Sequence, residues 1–251
     1  MFSTEFWGWV MTKSKPVLCV GIDHSLNGTG IAAINSKGEQ RLLHGWTTVR
    51  SKQKEFPESL SYFKIKEPQS HAHRIHRLIS IYKWVRLIIN RFTDDYDVFV
   101  AIEGYALSAK GGRVSDQHEG MGLIKAWLWR MNIPFRIYTP TTVKSAWTGK
   151  GSADKSAMLM TCYQKFGLDL TPLGEAGENL ADALLIARLL YWELAERMII
   201  VTDGKPLATV RNALAKVTKE YPTSILQQDF IIGKGQYAEV ISILPGSLED
   251  A

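Results

Sequence analysis

Three acidic residues stand at informative places along this chain. Asp23 closes the apolar run Val17-Leu18-Cys19-Val20-Gly21-Ile22, and Glu103 closes Val98-Phe99-Val100-Ala101-Ile102. Asp182 ends Glu178-Asn179-Leu180-Ala181-Asp182, a stretch of helical character. Residues three or four apart share a helical face, so Asn179 or Glu178 can act beside Asp182. An amide oxygen brings no charge, and a Glu does. Hard divalent cations need oxygen ligands gathered from distant parts of a chain, and three carboxylate sites can gather them. That chemistry is metal-assisted phosphodiester cleavage, with Mg²⁺ as the ion and Mn²⁺ as its substitute.

Basic residues accompany the acids. Lys144 and Lys155 bracket Gly149-Lys150-Gly151-Ser152, where glycines allow close backbone approach to phosphate and lysines supply charge. The glycine spacing of a P-loop is absent. After Glu103 comes Gly104-Tyr105-Ala106-Leu107-Ser108-Ala109-Lys110-Gly111-Gly112-Arg113, read as a flexible loop. Lys110 and Arg113 there suit contact with a nucleic-acid backbone. Each residue taken singly has a plainer reading: Asp23 as a turn cap, Glu103 as a salt-bridged strand end, the lysines as solvated surface, Tyr105 as core. His71, His73 and His76 with Arg74 and Arg77 read as a solvated basic helix face, because no acid accompanies them. Trp84, Trp127 and Trp129 suit either core packing or a partner surface.

The elements that must position these groups follow from period and punctuation. Val17–Asp23, residues 29–34 and Arg41–Val49 read as an antiparallel meander, with turns at Asn27-Gly28 and Lys37-Gly38. Residues 50–70 read as a surface loop, and 71–92 as a helix with apolar positions at Ile75, Leu78, Ile79, Tyr82, Val85 and Ile89. Val98–Glu103 is a buried-type strand, Gln117–Met131 a helix and Phe135–Tyr138 a short strand. Pro140 opens a helix, Ser152 or Asp154 opens another over 153–166, and Glu175–Met198 forms a long one. The order predicts an α/β fold: a mixed five-stranded sheet flanked by helices on both faces. Beyond it, Ile199-Ile200-Val201, a helix near 205–220 and apolar runs at 229–232 and 237–244 predict a small C-terminal α+β extension. The divisions are an arm over 1–16, a main domain over 17–198 and the extension over 199–251.

The bulk figures set limits without choosing a function. The chain has 251 residues, 45% hydrophobic and 22% charged, a globular composition suited to one large domain and an appendage. A net charge of +5 is compatible with a polyanionic partner. Cys19 and Cys162 have no zinc or redox spacing and read as buried thiols of a reducing compartment. The apolar Phe6–Met11 is too short to span a bilayer, and Met11 is a candidate natural start. The expectation is a cytoplasmic protein, of a bacterium or a phage-infected host, without a membrane association.

Four segments in order resemble the RuvC-type Holliday junction resolvases of the RNase H-like nuclease superfamily. They are Gly21-Ile22-Asp23-His24-Ser25-Leu26-Asn27-Gly28-Thr29-Gly30, then Ala101-Ile102-Glu103, then Val143-Lys144 with Gly149 through Ser156, and last Ala181-Asp182-Ala183-Leu184. The resemblance covers residues 17–190, about two thirds of the chain. It implies an RNase H-like domain and a homodimer that cuts four-way or branched DNA in recombination and repair. It also implies two ions roughly 3.5–4 Å apart at the scissile phosphate. On that reading Asp23 bridges the ions, while Glu103 and Asp182 complete their sites and Lys155 stabilises the transition state. Lys144 and Lys150 would touch phosphate, and Tyr105 would stack at the junction centre. Asn179 or Glu178 stands where bacterial members usually place a further aspartate. Divergence of this kind suits a phage or mobile-element member. Rival expectations are a nuclease for flaps, forks or hybrids, and a junction-binding protein of weak catalysis. An actin-like sugar kinase shares Gly-Ile-Asp and Gly-Thr-Gly but needs two duplicated domains, too many for this length.

Overall fold

Strand β1 (Val17–Asp23) lies at the centre and is apolar on both faces. Its Leu18, Val20 and Ile22 belong to one buried cluster, and Cys19 to another. Side chains alternate between the two faces of a strand, so such a strand must be covered on both sides. The computed structural model describes residues 15–47, 63–66, 73–104 and 113–220.

Antiparallel β2 (Gly28–Asn35) flanks β1, and β3 (Gln40–Thr47) pairs with β2, which is the expected meander. Beyond β3 lies a short parallel strand, β4 (Phe63–Lys66). Helix α1 (Arg74–Asn90) leads to β5 (Asp97–Glu103), parallel to β1 on its other side. Helix α2 (Arg113–Arg130) then leads to β6 (Phe135–Tyr138), parallel to β5. The sheet order is β4-β3-β2-β1-β5-β6. All five expected strands form. The sixth, β4, falls in the stretch read as a loop, because four residues at a sheet edge give too short a run to register.

Helices α1 and α2 cover the face that carries Leu18, Val20 and Ile22, with Ile81, Val85, Ile89, Ile124 and Leu128 packed there. Trp84 and Trp127 are in this core, whereas Trp129 is 45% exposed. His73 and His76 are exposed, as a solvated face requires. The other face is covered by α3 (Pro140–Thr148), α4 (Lys155–Phe166) and the long α5 (Glu175–Glu196). A last helix, α6 (Ala208–Glu220), brings Val210, Ala213, Leu214 and Val217 into the same cluster as Val143 and Ala146 of α3.

Ile199–Val201 is not a strand. The N–H groups of Ile199 and Ile200 both donate to the Leu194 carbonyl, at 2.9 and 3.3 Å, so the run closes the end of α5. Ile200 plugs the core while Val201 is 92% exposed. Helix α2 begins at Arg113 rather than Gln117, so Arg113 opens a helix instead of ending a loop. The arm through residue 14, His71, Tyr105, Lys110 and the apolar runs at 229–232 and 237–244 lie outside the described residues. No helix among the described residues is long and apolar enough to cross a membrane.

Candidate active site

Parity along two strands brings the first two acids together. On β1 the odd-numbered positions face α5, as Cys19 does. Asp23 therefore faces α5. On β5, Phe99 and Ala101 face the same side, and Glu103 follows them. The parallel register sets Ile22 beside Ile102, so Asp23 and Glu103 emerge next to each other where the two strands end. Each carboxylate acts on the other's titration, so the two acids interact where the strands end.

The third acid arrives because α5 lies unusually close to the sheet. A Cβ on Gly21 would meet the Ala183 carbonyl at 2.2 Å, and one on Gly30 would meet the Asn179 carbonyl at 2.2 Å. Gly30 is the registered partner of Asp23 on β2. These glycines let the helix backbone rest on the strands, and Asp182 sits on the turn of α5 that does so. Two further ties hold the neighbouring helices to α5. Trp147 Nε1–H donates to the Leu185 carbonyl at 2.8 Å, and Cys162 Sγ donates to the Ala181 carbonyl at 3.8 Å.

Burial acts on all three acids. Burial first, then Glu103 and Asp182, push the Asp23 carboxyl well above its ordinary range. Burial and Asp182 raise Glu103 to about 7, against the pull of Lys144 and Lys155. Burial raises Asp182 to about 6, with the two lysines opposing and Glu178 assisting. Asp182 Oδ1 is buried and has no hydrogen-bond partner. Among the described residues, no three His, Cys, Asp or Glu side chains already stand as ligands of one ion. An oxygen-only donor set with an orphaned buried carboxylate oxygen fits a hard divalent cation, which would compete with protons for these acids.

The lysines are set by helix starts. Thr139 caps α3, accepting from the Thr142 N–H at 3.2 Å, which places Lys144 inside the first turns. Gly149 ends α3 at φ 78°, and exposed Lys150 follows in the turn. Asp154, not Ser152, caps α4 by accepting from the Ala157 N–H at 2.8 Å, so Lys155 is the first helical residue. Lys155 Nζ donates to Glu178 Oε2 at 2.5 Å. Asn179 points elsewhere: its Nδ2 would lie 2.1 Å from a Cβ on Gly28, so the amide is laid against β2. Tyr105 and Lys110 lie outside the described residues, and Arg113 contributes its backbone to the start of α2.

Some neighbours carried no recognised signal in the sequence. His24 is buried beside Asp23, its Nδ1 3.3 Å from Thr29 Oγ1, which itself donates to the Ser25 carbonyl at 2.9 Å. His24 therefore donates from Nδ1, and its Nε2 faces Gly120 of α2, where a Cβ would come within 2.2 Å. Burial lowers this imidazole to about 4, so it is neutral. Farther along α5, buried Glu193 accepts from Arg136 at 2.9 Å, Tyr138 at 2.5 Å and Arg197 at 2.9 Å, pinning β6 to the helix. The alternation Gly28-Thr29-Gly30 inside a strand was the available clue to the close helix.

This architecture defines an RNase H-like α/β protein with an acidic cluster where its central strands end. The family model described as crossover junction endodeoxyribonuclease RuvC matches residues 19–188, and the chain belongs to that family. Among its relatives, the RuvC of Magnetococcus marinus is 27% identical over 72% of this chain and 90% of its own length. That of Corynebacterium diphtheriae is 30% identical over 49% of this chain and 71% of its own length. The match to the Pseudarthrobacter chlorophenolicus protein, 29% identical, spans 46% of this chain and only 59% of that relative. Among solved structures, Thermus thermophilus RuvC in complex with Holliday junction substrate aligns at a TM-score of 0.50 and 25% identity. That alignment covers 76% of this chain and 99% of the other.

Proposed function

We propose that this chain is a divalent-metal-dependent, structure-selective endonuclease that cuts four-way or otherwise branched DNA. The observation that carries this reading is the convergence of Asp23, Glu103 and Asp182 from β1, β5 and α5 with Lys144 and Lys155 in electrostatic range. Family membership and the junction complex of the Thermus relative support the substrate class.

Asp23, Glu103 and Asp182 would hold Mg²⁺, or Mn²⁺ in its place. Two such ions would supply Lewis-acid activation of water and of the leaving 3′-oxygen at the phosphate. The chain's own residues set up the remainder. Lys144 and Lys155 place positive charge against a phosphate whose negative charge grows as it is attacked. Lys150 and Arg113 would hold the DNA backbone beside the cluster, with Lys110 and the aromatic Tyr105 extending that contact. Neutral His24 keeps the β1–β2 turn packed under α2 without adding a competing cation.

Symmetric cutting of two strands needs two such sites related by a twofold axis, so a homodimer is part of the reading. The test uses labelled four-way junctions with Mg²⁺, alongside flap, fork and RNA–DNA hybrid arms. Wild type should place paired nicks in the junction, and Asp182→Asn should lose about a thousandfold or more in rate while still binding it. Preference for a flap or hybrid would move the substrate to another branch of the superfamily. Tight binding with no incision in Mg²⁺ or Mn²⁺ would leave a junction-binding protein instead.

A further inference from the structure

We infer that Glu178 is a positioning residue for Lys155, holding its ammonium over the acidic cluster, rather than a ligand of the metal. This rests on the nuclease reading and assigns a role within that site.

The contact itself is direct. Lys155 Nζ donates to Glu178 Oε2 at 2.5 Å, with the two side chains 59% and 27% exposed. An exposed ion pair of this kind adds little to stability, so stability alone gives no reason for it. Lys155 is the first residue of α4, directly after its cap Asp154. The start of a helix carries a partial positive charge, which repels an ammonium there. Among the described contacts, Glu178 is the carboxylate that hydrogen-bonds it, and this contact is the main reason the amine is held above its ordinary pKa. Asp182 and Asp23 act electrostatically on the same amine in the same direction.

Geometry also separates Glu178 from the ligands. Glu178 and Asp182 are one turn apart on one face of α5, so Glu178 can reach forward to α4 while Asp182 faces the strands. As a ligand, Glu178 would have to divide its two oxygens between the ammonium and a cation that repel each other. As a tether, it brings the lysine to the phosphate and offsets the charge of the α4 start. A plainer role exists: an acid in the first turns of α5 suits that helix's own dipole. The two roles differ in what they couple to.

The experiment is a double-mutant cycle in the full chain: wild type, Glu178→Ala, Lys155→Ala and the double variant. Cleavage of four-way junctions with Mg²⁺ gives kcat and KM. Titration with Mn²⁺ alone, followed by its electron paramagnetic resonance signal, gives the ion's affinity. Glu178→Ala should lower kcat about tenfold to a hundredfold with little change in KM. It should leave Mn²⁺ affinity within about twofold and cause no further loss in the Lys155→Ala background. Glu178→Gln, which keeps an acceptor, should recover part of kcat. Labelling of Lys155 by an amine reagent, read by mass spectrometry, should be faster in Glu178→Ala because the amine deprotonates more readily.

A fall of about tenfold or more in Mn²⁺ affinity makes Glu178 a ligand and overturns the inference. Equal losses of kcat in both backgrounds overturn it too, as does a lower melting temperature with unchanged kcat. If wild type cuts no branched DNA, the nuclease reading has failed and the catalytic role goes with it. If wild type cuts but the pair shows no coupling, only the inference fails.

Discussion

At the scale of single residues, the three acids crowd negative charge into a buried place. Glu103 at about 7 and Asp182 at about 6 lie above their ordinary values of 4.5 and 3.8. The folded state then binds more protons than the unfolded chain between those limits. Stability from these groups is fully present below the ordinary values and is lost as pH rises through about 6 and about 7. The metal-free protein should therefore melt at a lower temperature near pH 8 than near pH 5.5, by several degrees. Asp182→Asn removes one of the charges and should narrow that difference. Proton competition also makes apparent Mn²⁺ affinity rise over the same window, which a titration at stepped pH measures. A melting temperature that climbs toward pH 8 without metal would contradict this electrostatic account of the site.

At the scale of elements, the site depends on how closely α5 approaches β1 and β2. Gly30→Ala puts a methyl about where the Asn179 carbonyl stands, at 2.2 Å, and backbone cannot yield as a side-chain tip can. The helix must shift, at a cost of about 1–3 kcal/mol, and Asp182 moves with it. Cleavage should fall by more than the stability loss explains, whereas Gly122→Ala, inside α2 and meeting nothing within 4 Å, should leave cleavage unchanged and raise the melting temperature if it shifts it at all. Thermal melts and junction cleavage on the two variants decide it. This dependence also shows what the sequence made legible. Asp23 and Glu103 were readable because each ends a continuous apolar run, and Asp182 because of its helical neighbours. Close packing of α5 was not, since Gly28 and Gly30 read equally as turn and strand residues until a helix lies over them. The choice between Asn179 and Glu178 was likewise open, because spacing alone does not say which side chain a lysine from α4 will capture. Strand β4 and the turn at Ile199–Val201 failed for one reason: runs of three or four residues take whatever role their tertiary neighbours offer.

At the scale of the whole molecule, the question is whether the segment beyond residue 198 is an appendage or part of the folding unit. The RuvC family match ends at residue 188, so α6 lies past it. Yet Val210, Ala213, Leu214 and Val217 recur at helical spacing on one face and share a cluster with Val143, Ala146 and the core of α5. We propose that α6 braces α3, and through it Lys144, so that this helix folds together with the nuclease core. Leu214 is fully buried, so Leu214→Ala should cost about 2–5 kcal/mol. For a chain of this size that lowers the melting temperature by roughly 5–15 °C. Thr218→Ala, on the exposed side of the same helix, should leave it unchanged within about a degree. Calorimetry separates the two architectures. A brace gives one transition that moves as a whole in Leu214→Ala, because losing α6 uncovers the apolar side of α3. An appendage gives a separate early transition with the main one in place, and cleavage of junction DNA untouched below it.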